Sequence, residues 1–186
     1  MNNKRRASFY KQGFTLIELV VAFSIMAVLS TIGIASFVSY SQAQTLQQAV
    51  NDVNITLNTA KSDAIAQVKP NGVTSTCPTP GVLNGYQVVL RNQVVSGKTT
   101  GVYILDAVCN GSPDLNSMVT NQLHNVSFDS STFVAPATSM TITFLVLTGG
   151  VNSTGVVDSN GNTNIVLDGV NSTQKTITVT PGGLIE

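Results

Sequence analysis

The chain has 186 residues, of which 42% are hydrophobic, nine are basic and nine are acidic; this length suits one domain plus an appendage. The net charge of zero hides an asymmetry, because four of the nine basic residues precede Phe14 and the rest of the chain carries five basic against nine acidic side chains, a net charge of −4. That balance argues against a non-specific nucleic-acid binder, which needs a basic surface.

An apolar run from Leu19 to Val38 contains 20 residues and no charged side chain. As a helix it is long enough to span a bilayer. The basic segment before it would stay in the cytoplasm, so residues beyond Tyr40 would lie outside. A secretory signal would have a shorter apolar core followed by a small-residue cleavage site. A plain membrane anchor fits the length of the run but does not account for Glu18.

Glu18 stands at the edge of this apolar run. A carboxylate in a membrane segment costs roughly 2.5–3.5 kcal/mol at the centre and less near the interface, and such residues usually have a partner. Glu18 lies one helical turn after Phe14. Cleavage between Gly13 and Phe14 would create an α-amine that is a natural counter-charge for Glu18, in the same chain or in a neighbour.

The segment GFTLIELVV, residues 13–21, resembles the processing motif of type IV prepilins and type II secretion pseudopilins. The resemblance implies that a prepilin peptidase cuts between Gly13 and Phe14 and methylates Phe14, and that Glu18 registers each incoming subunit in a helical filament. It also implies an inner-membrane assembly platform and other pilins or pseudopilins as partners. Many family members carry a proline where this chain has Ala35, so a proline-linked kink is not expected.

The helix is predicted to continue beyond the membrane to about Gln67 and to stop at the Pro-Asn-Gly sequence of residues 70–72. Apolar residues recur at spacings of three and four and so form one stripe. We expect this stripe to pack against a sheet; a partner-binding face is the alternative. Its members are Leu46, Val50, Val53, Leu57, Ala60 and Ala64.

Beyond the helix, short runs of β composition are separated by clusters of Gly, Pro, Asn and Asp. A helix followed by a meandering sheet is an α+β fold, and the resemblance implies a type IV pilin-like layout. The chain then divides into a cleaved leader (1–13), a hydrophobic transmembrane or filament-core helix (14–40), an amphipathic second half (41–69) and a β-rich globular head (70–186). The predicted strands are Gly85–Arg91, Val102–Val108, Val126–Phe128, Met140–Leu147, Asn164–Leu167 and Thr176–Thr180.

The two cysteines, Cys77 and Cys109, do not form a C-x-x-C pair. An even count in a chain bound for an oxidising compartment suggests one disulfide. Two unpaired buried thiols are the alternative.

The segment DSNGNTN, residues 158–164, carries oxygen ligands at alternate positions, as calcium loops do. Asp158 and Asp168 would be the likeliest carboxylates. The glycine is misplaced for an EF-hand and no Glu closes the loop, while Asn-Gly is a strong hairpin signal. A plain turn without a cofactor is therefore favoured over calcium. The single histidine, His124, is read as an ordinary side chain, and the chain as the substrate of an enzyme rather than an enzyme.

Three closing stretches, TITFLVLTGG, NTNIVLDG and KTITVTPGGLIE, resemble the last strands of H-type pseudopilins and related minor pilins (the GspH/FimT-like group). The stretch 57–67 is similar to the helix end of that group, with Lys61 and Asp63 in place of its Arg and Glu. The resemblance implies a minor pilin or pseudopilin. A major pilin, a ligand-binding receptor pilin and an anchored protein that never polymerises remain alternatives. The DNA-binding Gly-Arg-x-Arg tail of some members is absent from residues 183–186, so nucleic-acid binding is not expected.

Overall fold

The computed structural model describes residues 13–70, 77 and 81–186, without the side chains of residues 32, 33 and 35. Residues 1–12 of the leader, the Asn71-Gly72 part of the expected helix stop and the Ala35 side chain therefore lie outside the described residues. The chain divides into two compact units, one ending at Tyr40 and the other comprising Ser41–Glu186, which we call the head unit.

One helix, α1, runs from Leu16 to Ile65, so it begins and ends two residues inside the predicted limits. The large apolar side chains that the structure describes before Tyr40 are exposed. Polar side chains in this apolar part bond to their own helix, since the hydroxyls of Ser24 and Ser30 donate to carbonyls one turn earlier at 2.8 and 2.7 Å. Hydroxyls satisfied in this way are compatible with an apolar surrounding.

In the head unit, the predicted apolar stripe of α1 is buried. Val53, Leu57, Ala60 and Ala64 are each 0% exposed, and the stripe joins the main hydrophobic cluster. The stripe thus packs in the core, as its 3–4 spacing predicts.

The head unit contains two antiparallel sheets in the described part of the chain. The larger has the order β3-β2-β1-β6-β7, with β4 also paired to β2, and the smaller has the order β5-β8-β9. Helix and sheets give the α+β pilin-like layout that the sequence predicts. The strands are β1 Leu83–Val95, β2 Lys98–Cys109, β3 Ser112–Pro113, β4 Val119–Gln122, β5 Ser127–Phe128, β6 Ser139–Leu145, β7 Val151–Ser153, β8 Thr163–Asp168 and β9 Gln174–Val179.

Alternation along the strands places one face of each sheet in the core. On β6, for example, Met140, Ile142 and Phe144 are all 0% exposed and alternate with more exposed residues. Each of the six predicted β runs falls on an observed strand. The strands β3, β4 and β7 were not predicted, because they are two to four residues long and mostly polar, and so lack the composition on which strand prediction depends.

A disulfide joins Cys77 to Cys109, with their Cα atoms 5.3 Å apart. Both cysteines are buried, at 4% and 1% exposure. The bond links a position before β1 to the last residue of β2, and the alternative of two free thiols does not apply.

Candidate processing and assembly segment

The helix begins immediately after the predicted cleavage point. Gly13, Phe14 and Thr15 have no regular secondary structure, and α1 starts at Leu16. Phe14 is 82% exposed, and among the described residues no atom beyond the adjoining ones lies within 4 Å of the position that a Cβ on Gly13 would occupy. The Gly13–Phe14 peptide bond is therefore in a non-helical, open segment, which is the state that a protease needs to bind a peptide.

Thr15 caps the start of α1. Its Oγ1 accepts a hydrogen bond from the backbone N–H of Glu18 at 3.3 Å, and its carbonyl accepts one from Leu19 N–H at 3.3 Å. The sequence Thr15-x-x-Glu18 is a capping-box pattern, in which the first residue satisfies an otherwise unpaired N–H of the first turn. The capping role of Thr15 was not predicted, although the T-x-x-E signal is present in the sequence.

Glu18 occupies the first turn of α1. Negative charge is favoured there, because the unpaired N–H groups of a helix start carry partial positive charge. The side chains around it are exposed and apolar, including Leu16 at 82% and Ile17 at 67%. The carboxylate thus stands at the edge of an apolar surface, within five residues of the predicted new terminus at Phe14.

Asp158 organises the loop before β8. Its Oδ1 accepts backbone N–H bonds from Asn160 at 2.8 Å and Asn162 at 2.9 Å, and its Oδ2 accepts from Asn162 Nδ2 at 3.0 Å. These bonds, led by the one from the Asn162 backbone, lower the pKa of the Asp158 carboxyl. The loop thus has the tight turn that Asn160-Gly161 predicts, with Gly161 at φ 79°.

Asp168, the second calcium candidate, is the last residue of β8 and accepts a hydrogen bond from Gln174 Nε2 at 2.8 Å. The strand β8 separates it from Asp158 by roughly 15–20 Å at about 3.3 Å per residue. Because calcium–oxygen distances are about 2.3–2.6 Å, one ion would use one of these carboxylates and not both. The expectation of no cofactor, with calcium at this loop as the less favoured alternative, stays a prediction.

His124 is exposed and lines a cleft of about 360 Å³ with Asp52 and residues of α1. Among the residues that the structure describes, no group of three or more His, Cys, Asp or Glu side chains is placed to hold a metal ion. Within the same residues, α1 is the one helix long and apolar enough to cross a membrane, with a mean hydropathy of 2.2 over its most apolar 18-residue window.

Residues 8–34 match the family model described as the prokaryotic N-terminal methylation motif. The match includes Gly13, Phe14 and Glu18. No curated protein and no solved structure matches the chain. The motif indicates a type IV pilin-like protein that is processed by prepilin peptidase and assembles with other pilins.

Proposed function

We propose that the chain is a minor pilin or pseudopilin, a structural subunit of a type IV pilus or of a type II secretion pseudopilus. The observation that carries this proposal is the methylation motif at residues 8–34, which leads directly into a helix with an exposed apolar first half. The division into leader, membrane helix, amphipathic half and β-rich head at residues 13, 40 and 69 is part of the proposal.

The proposal begins with a membrane stage. The apolar part of α1 spans the inner membrane once, with the basic leader in the cytoplasm and the head unit outside. The apolar side chains before Tyr40 are exposed in the isolated chain and need lipid or protein around them. The Cys77–Cys109 disulfide supports an extracytoplasmic head unit, because disulfides persist in oxidising compartments.

Processing then prepares the chain for assembly. Prepilin peptidase cuts between Gly13 and Phe14 and methylates the amine of Phe14, which remains a cation after methylation. Glu18 lies one helical turn away. In an apolar filament an unpaired carboxylate is costly, so the axial position that pairs Glu18 with the amine of a neighbouring subunit is preferred.

The minor rather than major role rests on the resemblance of the last strands to H-type pseudopilins and their minor-pilin relatives. In the structure these segments form β6 and the β8–β9 hairpin. After β9 the chain turns back, with Thr178 and Glu186 exchanging two backbone hydrogen bonds of 2.9 Å. Nucleic-acid binding is not part of the proposal, because residues 14–186 carry five basic against nine acidic side chains and a nucleic-acid binder needs a basic surface.

The test is the intact mass of the protein in a sheared surface fraction and in the membrane fraction. A mass that begins at Phe14 plus one methyl group in the sheared fraction supports processing and assembly together. Its abundance relative to other pilins then separates a minor from a major subunit.

The control for cleavage is Gly13→Val, whose branched side chain crowds the scissile bond and should leave the leader attached. A wild-type mass that begins at Met1, found only in membranes, would instead show an anchored protein that does not polymerise, and the role of Glu18 would be wrong.

A further inference from the structure

The hairpin between β1 and β2 ends in an exposed tip. The turn residues Ser96 and Gly97 have φ of 51° and 78°, the positive values that a tight type I′ hairpin turn needs. Every residue from 93 to 99 is exposed, and Val94 and Val95 are 68% and 39% exposed. The tip therefore presents two exposed valines within four residues of Lys98.

This tip lies beside the first residues of the head unit. Lys98 lines a groove of about 330 Å³ together with Ser41, Gln42 and Thr45 of α1. The Nζ of Lys98 donates to Oδ1 of Asn125, which lines the same groove, at 2.7 Å. The hairpin tip and the start of the head unit's helix thus belong to one surface.

A second loop reaches the same place. Asn171, between β8 and β9, donates from Nδ2 to Oε1 of Gln42 at 2.9 Å. Its neighbour Val170 also lines the groove. We call this surface the helix-entry end of the head unit. It comprises residues 41–45, 94–98, 125 and 170–171.

Chain continuity brings the helix-entry end to the membrane surface. Ser41 follows Val38, the last residue of the apolar run, by three residues. Three residues of helix rise about 4.5 Å, and the headgroup layer on each side of the hydrocarbon core is about 5–7 Å thick. This step rests on the membrane stage of the proposed function: if 19–38 span the hydrocarbon core, Ser41 and Gln42 lie among the headgroups.

The side chains at this end suit that layer. Ser41, Gln42 and Asn125 offer hydroxyl and amide groups that hydrogen-bond to phosphate and glycerol oxygens, whereas the Thr45 hydroxyl donates to the Ser41 carbonyl at 3.0 Å. Lys98 supplies a cation that an anionic leaflet attracts. Asp129 and Asp168, which lie four residues after Asn125 and two before Val170, interact with each other. Asp168 accepts a hydrogen bond from Gln174, and Asp52 lies ten residues, about 15 Å, further along α1 than Gln42.

We propose that the helix-entry end is a lipid-contacting surface that holds the head unit against the outer leaflet of the inner membrane before assembly. Lys98 contacts the phosphates of anionic phospholipids, and Val94 and Val95 insert among the headgroups. Entry into a filament then requires that these contacts be released.

The chain contains no tryptophan, so one introduced tryptophan reports on one position. We would reconstitute the full-length Val94→Trp protein in vesicles of phosphatidylethanolamine and phosphatidylglycerol, and in phosphatidylcholine alone. The matched control is Val82→Trp: Val82 is 60% exposed and precedes β1, so it lies about 40 Å from Val94 along the strand. Emission maxima and quenching by headgroup-labelled nitroxide lipids are measured for both.

We expect a blue-shifted emission and at least about twofold stronger quenching for Val94→Trp than for Val82→Trp, with the larger difference in anionic vesicles. Adding Lys98→Gln should reduce the quenching of Val94→Trp in anionic vesicles and leave it unchanged in phosphatidylcholine. Equal quenching of the two tryptophans in vesicles that carry the protein would overturn the lipid-contacting surface.

Vesicle flotation separates the two possible failures. Protein that floats with the vesicles but shows an exposed tryptophan in Val94→Trp contradicts the lipid-contacting surface alone. Protein that does not float contradicts the membrane stage as well. If that tryptophan is shielded only in sheared filaments that contain no lipid, the helix-entry end contacts a neighbouring subunit instead. This result would also overturn the proposal.

Discussion

Gln87 on β1 and Asp106 on β2 are direct cross-strand partners, and Nε2 of Gln87 donates to Oδ2 of Asp106 at 3.1 Å. Asp106 is a buried residue, with 3% of its surface exposed. Within the part of the chain that the structure describes, the Oδ1 atom of Asp106 has no hydrogen-bond partner. Burial raises the pKa of the Asp106 carboxyl; the Gln87 bond lowers the pKa and the charge of Asp114 raises it further. A buried carboxylate with an unpaired oxygen destabilises the head unit when it is ionised.

Asp106→Asn is therefore expected to stabilise the protein at neutral pH, by about 1 kcal/mol in the free energy of unfolding. The carboxyl of Asp106 has its ordinary pKa of about 4 in the unfolded chain and a higher pKa in the folded protein. As pH rises above about 4, the unfolded chain therefore loses this proton first, and the free energy of unfolding falls. It stays lower above the folded-state pKa. The gain should thus be larger at pH 7 than at pH 4. Thermal unfolding of the full chain in detergent at both pH values measures it.

The control for this prediction is Asp63→Asn, which removes one charge from the second half of α1. It leaves the Gln87–Asp106 pair in place, so a gain that comes only from the lower negative charge of the chain would appear in this variant as well. If Asp106→Asn unfolds at the wild-type temperature at both pH values, the buried carboxyl of Asp106 does not destabilise the folded protein.

The Cys77–Cys109 disulfide should contribute substantially to the stability of the head unit. It closes a loop with a sequence separation of 32 residues, for which the chain-entropy estimate is about 3–4 kcal/mol. In the double variant Cys77→Ala/Cys109→Ala, urea unfolding should give a free energy of unfolding lower by this amount, and hence a lower midpoint. Adding reductant should lower the wild-type midpoint and leave the variant unchanged. A wild-type midpoint that is insensitive to complete reduction contradicts the prediction.

Glu18→Ala should separate processing from assembly. The scissile bond and its open segment are unchanged, so the leader is still removed, whereas the amine of a neighbouring Phe14 loses its counter-charge in the filament. Because removing one partner of a buried pair is strongly destabilising, we expect the amount in sheared filaments to fall at least about tenfold. Immunoblots of cleaved and uncleaved protein in both fractions measure this, with Glu18→Asp as the charge-preserving control. Normal filament content in Glu18→Ala would refute the role of Glu18.

Thr15→Ala should loosen the first turn of α1. Loss of a capping hydroxyl costs about 1 kcal/mol, and the N–H group that Thr15 Oγ1 binds is that of Glu18. Hydrogen exchange at the Glu18 amide, measured by NMR in micelles, should become about five times faster. Thr15→Ser keeps the hydroxyl and should keep the protection. Unchanged exchange in Thr15→Ala would mean that the cap does not hold this turn.

The candidate site was predictable because its signals are local. Gly13, Phe14 and Glu18 lie within six residues, and the apolar run that follows needs no tertiary contact to be recognised. The Thr15 cap was not predicted, although its Thr15-x-x-Glu18 pattern is equally local and could have been recognised in the sequence. The helix-entry end could not be predicted, because Lys98 and Gln42 are 56 positions apart in the chain and no sequence pattern joins them.

The sequence by itself determined the long helix, its buried stripe and the six predicted β runs, because periodicity and composition act over a few neighbouring residues. Only the tertiary structure decided the division into two sheets, the pairing of the short polar strand β4 with β2, and the burial of Asp106 beside Gln87. The physical reason is that strand pairing and burial depend on register and on contacts between segments distant in sequence. A four-residue polar strand is stable only where a neighbouring strand supplies its hydrogen bonds.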